Sequence, residues 1–531
     1  MKANSITLVA VLGLFAPLVA PVLLTAQNIE GHVQHHHYKL IDMGTFGGTI
    51  SAINFPSDIN NRAIGRRGTT VGFSETGVPR TAASNHLICG GDDGFGTNIT
   101  HAFRWENGIV DLGALAPAEE NCSNAYQVNA QGDVVGFSEN GQVDQATGFN
   151  QSRAILWKHG QLHDLGSLGG NQNEALEINN HGQIVGFSQS TVADPISFFD
   201  FLLNFPSPPP VSGTQTRAVL WQEGVIQDLG TLGTGTDAVA FMINEGGQIA
   251  GLSYTNTTPN PVTGLPQVDP FLWDHGKMID IGTFGGAFGQ PNFLNNRGQL
   301  VGGLSVPADP GACFFEDSTN CHPFLWENGN LLDLATTSEG GIPQTADGIN
   351  DSGEIVGAAD FTASGGSGFD AYLWIKGVAK DLGTLPGDCG SRAQAINALG
   401  QAVGQSFSCP DFDFHHAAFW RNNAVIDLNA LIPANSSLEL VIADDINDRG
   451  EIAGMGVPAA VDPANVFTQG HAFLLIPCDK NHPDVEGCDY SMVDADAQRP
   501  SRPVIGTAAN PSYVLLRRNG RFSFLSDRSK N

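Results

Sequence analysis

The sequence predicts an all-β protein: an eight-bladed β-propeller of four-stranded blades, its ring closed by an amino-terminal strand that pairs in the last blade. Three observations predict it. A phrase of the form Ile-Asn-x-x-Gly-x-Ile recurs, as at Ile178, Ile243, Ile349 and Ile446. An apolar strand, ending in Trp in most copies, follows each phrase, and most of these lead to an Asp-Leu-Gly-type ending. Charged residues make up only 15% of the 531, and 65 are Gly, which suits many short strands and tight turns.

In chain order, residues 1–26 read as an export signal. Lys2 gives a positive start, an apolar run extends from Ile6 to Leu24, and Ala26 offers a small residue for cleavage. Pro17 and Pro21 weaken a spanning helix, so membrane attachment is not expected once the signal is removed; a retained anchor is the alternative. Residues 27–37 form a His-rich lead with His32, His35, His36 and His37. Neutral imidazoles bind metals, but this run precedes the ring, and no metal or cofactor is expected.

From residue 38 to 477 the repeat takes over. Each unit of about 50 residues holds four strands, the size of a propeller blade. Strand A ends in Ile-Asn, strand B reads like QIVGFS, strand C like AFLW, and strand D ends in Asp-Leu-Gly. The Asn and Gly between A and B read as turn residues that tolerate left-handed backbone. A Gly inside strand B, such as Gly136 or Gly186, reads as a place where a neighbouring blade packs closely. The strand-A Asn is expected at positions 60, 129, 179, 244, 295, 350, 397 and 447. No strand D follows the last strand C at His471, while YKLIDMG at Tyr38 is a strand D without a blade. Pairing the two closes an eight-bladed ring; a seven-bladed ring plus an extra unit, or two smaller rings, would use the same elements.

HAFRW at His101, HAFLL at His471 and the framework W-x-x-G…DLG…IN-x-x-G resemble the HAF-repeat family of extracellular bacterial repeat proteins, over about residues 38 to 475. The resemblance implies secretion and a bacterial source, and no chemistry. The HAF triplet is intact only at His101 and His471; the other copies carry Arg, Asp or Pro there, so the His is not uniform.

Connectivity puts the A–B and C–D turns on one face and the longer B–C and D–A connections on the other. The variable stretches Gln189 to Thr216, Ser305 to Cys321 and Glu75 to Thr100 fall on that long-loop face, where binding usually resides. The cysteines are Cys89, Cys122, Cys313, Cys321, Cys389, Cys409, Cys478 and Cys488. None has CxxC spacing, so disulfides in an oxidising compartment are expected, with sequential pairing the simplest arrangement. The first six would staple the long-loop face, and Cys478 with Cys488 bounds a small loop over residues 478–490.

Five residues before the strand-A Asn, at the channel mouth, stand Asn124, Glu174, Val239, Gln290, Thr345, Arg392 and Ile442. The polar members Asn124, Glu174, Gln290, Thr345 and Arg392 are the candidate ligand-binding residues. Glu174 with Asp237 is the best available carboxylate pair, and Asp411, Asp413, His415 and His416 lack the pattern of a calcium loop. No catalytic residue is assigned. The repeated Asp of strand D reads as a strand-end cap. Residues 491–531 read as a disordered basic tail with Arg499, Arg502, Arg517, Arg518, Arg521, Arg528 and Lys530.

The net charge of −29 argues against nucleic acid as a partner. The expected function is a secreted binding or structural module whose long-loop face meets a glycan, peptide or envelope component. The alternative is a polysaccharide hydrolase or lyase on a propeller scaffold, with its site at the channel mouth.

Overall fold

Strands with apolar residues on both faces need a partner sheet on each side, and a ring of blades supplies one. The computed structural model describes residues 37–53, 62–80, 97–199 and 213–490, except 262, 309–312, 314–320, 363–368, 410–414, 487 and 489, together with 517–518 and 521–522. Eight antiparallel sheets form the eight blades of a propeller. In blade 2 strand A is Ser123–Val128, B is Val134–Val143, C is Asn150–Lys158 and D is Gln161–Asp164. The same sequential A–B–C–D order holds in the other blades up to the seventh, although strand A of blade 6 is split into Ile342–Pro343 and Gly348–Ile349.

Blade 8 takes strands A to C from Leu438–Ile446, Ile452–Pro458 and His471–Pro477, and strand D from Tyr38–Asp42. Tyr38 lies opposite Pro477 and Asp42 opposite Phe473. The ring is thus closed from its own amino-terminal end, as the displaced strand predicts. The core lies between blades: Val135 and Ala154 of blade 2, for instance, pack with Ala175, Val219 and Trp221 of blade 3.

The recurring Ile-Asn phrase turns out to be an inter-blade clasp. Asn295 Oδ1 accepts the N–H groups of Arg297 and Gln299 at 3.0 and 2.9 Å, shaping its own turn. Its Nδ2 donates to the side chain of Gln299 at 2.7 Å and to the carbonyl of Asn350 in the next blade at 2.9 Å. Asn350 donates likewise to the Asn397 carbonyl, Asn397 to Asn447, and Asn129, Asn179 and Asn244 each to the blade that follows. The left-handed backbone belongs to the Gly three residues on, such as Gly298 at φ 74°, and not to the Asn. Reading the Asn as a turn residue misses this second role because the carbonyl it meets is some 50 residues away.

Blade 1 departs from the pattern. Asn60 lies outside the described residues, and Gly65 occupies the clasp position: its N–H donates to Thr69, and its carbonyl receives Asn447 Nδ2 at 3.1 Å. Gly65 has no amide to offer blade 2, so seven clasps serve eight boundaries. A Cβ at Gly65 would meet nothing closer than Val128 Cγ1 at 3.3 Å. Gly65→Asn is therefore expected to complete the circle and raise stability by about 1 kcal/mol, read as a higher urea midpoint at unchanged slope.

The strand-B glycines also have a different cause from the expected one. A Cβ on Gly136 would sit on the carbonyl oxygen of Asn124, within its own blade, and Gly186 faces Glu174 in the same way. Strand A bulges beside each of them, between Ala125 and Gln127 and between Ala175 and Glu177. The bulge pushes a carbonyl over the Gly, so the close approach is to strand A and not to a neighbouring blade.

Strand ends are tied across the C–D hairpin. The strand-D Asp meets the first residue of the C motif: His101 Nδ1 lies 2.9 Å from Asp111, Arg153 pairs with Asp164 and Arg217 with Asp228 at 3.0 Å, and His471 meets Asp42 at 2.9 Å. The same Asp residues cap the following Gly N–H, as at Gly113, Gly166 and Gly230. His or Arg meets the strand-D Asp in these copies, while Asp269 and Asp370 hold the same place in blades 4 and 6.

Candidate functional site

The inner ring is built from the eight A strands. In blades 2, 5 and 6 the residue three before the clasp Asn reaches the inner strand of the next blade. Tyr126 of blade 2 donates its hydroxyl to Glu174 Oε2 of blade 3 at 2.9 Å. Asp347 of blade 6 receives Arg392 of blade 7 in a forked pair, Nε at 2.7 Å and Nη2 at 2.8 Å. Asn292 of blade 5 donates to the carbonyl of Ala346 at 3.0 Å.

These contacts place the candidate residues. Arg392 and Thr345 converge on Asp347, which Thr345 also meets at 2.9 Å. Glu174 joins Tyr126, while Gln290 makes only a long contact with its neighbour Asn292, at 3.5 Å. Val239 and Ile442 are buried apolar residues. Asn124 is 2% exposed, and among the described residues neither its amide nitrogen nor its oxygen has a hydrogen-bond partner. Glu174 and Asp237 do not form a pair: Asp237 instead accepts the N–H groups of Phe198 and Thr216 at 3.1 and 2.6 Å. Glu174 and Arg392 are therefore set between blades, whereas Thr345 and Gln290 meet residues of their own blade.

Burial raises the Glu174 carboxyl to about 7 despite the Tyr126 hydrogen bond. It also raises Asp445 to about 7 and, helped by the charge of Asp445, Asp444 to about 8. The folded ring therefore holds more protons than the unfolded chain from about pH 4, the ordinary carboxyl value, to about pH 8. Stability must fall as pH rises through that window. Urea unfolding is expected to show a lower midpoint at pH 8 than at pH 5.5, with a shallower decline in Glu174→Gln. A flat profile would contradict the assignment.

Sequence reasoning misses Arg62, which ends the stretch inserted into strand A of blade 1. Its guanidinium lies 3.1 Å from Glu177 of blade 3, donates to the carbonyl of Leu294 in blade 5 at 2.8 Å, and sits 4.3 Å over the Phe293 ring. It therefore reaches from one blade to two others around the channel. The signal was available in the alignment column two before the clasp Asn, which holds Glu177 and Asp445, but the apparent anchor at Asn60 shifted blade 1 out of register.

On the long-loop face, disulfides join Cys313 to Cys321 and Cys389 to Cys409, and the Cys478–Cys488 bond closes the loop after blade 8. Cys122 is also disulfide-bonded; the expected pair Cys89–Cys122 involves Cys89, which lies outside the described residues. In blade 1, buried Glu75 gathers the N–H groups of Thr49, Thr97 and Asn98 at 2.7 to 3.0 Å, pinning two connections with one carboxylate. His32, His35, His36, Asp411 and Asp413 lie outside the described residues, while His415 contacts Gln405 and His416 contacts Asp388. Among the described residues, no group of three or more His, Cys, Asp or Glu is arranged to hold a metal ion. No described helix is long and apolar enough to cross a membrane. Of the tail, only Arg517–Arg518 paired with Arg521–Phe522 is described.

No family model matches the chain, and no curated protein is similar to it. Among solved structures, the β-propeller domain of the trilobed protease of Pyrococcus furiosus is similar over 66% of this chain and 95% of that one, at 10% identity and TM-score 0.36. A puromycin-hydrolysing peptidase of Mycobacterium tuberculosis is similar over 78% of this chain and 63% of that one, at 13% identity and TM-score 0.36. An ulvan lyase is similar over 79% and 80%, at 9% identity and TM-score 0.24.

Proposed function

We propose that the ring is a secreted binding or structural module of the HAF-repeat type, presenting its stapled long-loop face to a glycan, peptide or envelope component. The observation that carries this reading is the concentration of irregular connections and two disulfides on one face of an otherwise uniform scaffold. Cross-linked loops lose little freedom on binding, which favours affinity. The disulfides also support an oxidising compartment. The test is a glycan and peptide array probed with the purified full chain. Binding without product, reduced by removing the Cys389–Cys409 bond, is the expected result. Turnover of a polysaccharide would overturn it in favour of an enzyme, for which the Tyr126–Glu174 pair, a carboxyl raised to about 7 beside a phenol, is a candidate acid–base set.

A further inference from the structure

The environment of Arg62 is a complete recognition site for a guanidinium group. Glu177, 1% exposed, offers a carboxylate; the Leu294 carbonyl accepts a second N–H; the Phe293 ring stacks beneath the plane. An ion pair, a fixed acceptor and an aromatic face together select the planar, forked guanidinium over the compact ammonium. These groups come from blades 3 and 5, and the cation from blade 1, so the site is assembled by the ring and filled in trans. Asp445, which accepts the N–H of Ile64 at 2.9 Å, lies close enough for the Arg62 charge to draw its carboxyl down against the effect of burial. The Arg62 side chain remains 28% exposed, so the site opens to solvent in the channel. The body carries a net charge of −29, a field that gathers cations.

We infer that the channel holds a guanidinium-binding site that the protein occupies with its own Arg62, and that this side chain is a displaceable internal ligand. The external group it fits is a guanidinium, presented by a small molecule or by a peptide arginine. The inference is independent of the role proposed for the long-loop face, and its failure would leave that role untouched.

The test uses Arg62→Ala in the full chain, with ethylguanidinium, ethylammonium, and the capped tripeptides Gly-Arg-Gly and Gly-Lys-Gly as probes. Ethylguanidinium at about 100 times its Kd is expected to raise the Tm of the variant by about 2–3 °C, while ethylammonium leaves it unchanged. The wild-type chain should respond at least about 10-fold more weakly, because its site is filled. A matching response to the Arg tripeptide alone assigns the site to peptide arginine as well; a response to ethylguanidinium only restricts it to small molecules. Equal responses to both cations, or none, overturn the inference. So does a selective response that persists in Arg62→Ala/Glu177→Gln. If Arg62→Ala does not fold unaided, refolding yield in each cation gives the same comparison.

Discussion

Replacing Arg392 with Met is expected to destabilise the ring by about 3–5 kcal/mol, because it leaves the Asp347 carboxylate buried beside a missing cation. Both partners are almost fully enclosed, 4% and 6% exposed, and their two bonds of 2.7 and 2.8 Å join blade 6 to blade 7. Thr345 also depends on Asp347, at 2.9 Å, so the loss reaches a third residue. Urea denaturation measures it directly. Arg392→Met/Asp347→Leu is expected to recover most of the loss, since replacing a buried pair with apolar groups is often neutral. A single variant that unfolds within about 1 kcal/mol of wild type would show the pair to be solvated and the channel wet at that level. Arg392, a candidate ligand-binding residue by its position, thus also holds two blades together.

A chain that begins at Met43, without the closing strand, is expected to lose about 4 kcal/mol or more and to unfold less cooperatively. It forfeits the ladder from Tyr38 opposite Pro477 to Asp42 opposite Phe473, at about 1 kcal/mol per hydrogen bond. It also forfeits the burial of Tyr38, 5% exposed and edge-on to Phe419 at 6.4 Å between ring centroids, worth about 1.5–3 kcal/mol. The Asp42–His471 pair disappears as well. The bared edge of His471–Pro477 would then be open to pairing with other chains, so aggregation should accompany the loss. A synthetic peptide of residues 37–43 should restore stability in a saturable manner. Unchanged Tm and monomeric behaviour in the truncated chain would mean that the strand merely decorates the blade.

Much of the architecture can be read from particular residues. Tyr38 to Asp42 is a strand D with no blade, and His471 to Pro477 a strand C with no D. Local pattern suffices there because a blade is a local object: its hairpin turns and apolar alternation lie within about 50 residues. The site was less legible. Glu174 and Arg392 are marked by their offset from the clasp Asn, yet their partners Tyr126 and Asp347 belong to the preceding blade. The offset locates a residue along its strand; it does not say what the neighbouring blade presents to it.

The sequence by itself determined the strand order within a blade and the displaced closing strand, because each follows from a repeat that hydrogen-bonds mainly to itself. The structure decided for a single ring of eight blades among the arrangements the repeat allowed. Only the tertiary structure decided that the repeated Asn clasps the next blade, that Gly65 takes that place in blade 1, and that Arg62 spans blades 1, 3 and 5. Those contacts join residues 47 to 382 positions apart. They arise when the ring shuts, and burial then fixes which carboxyls keep their protons and which find a cation.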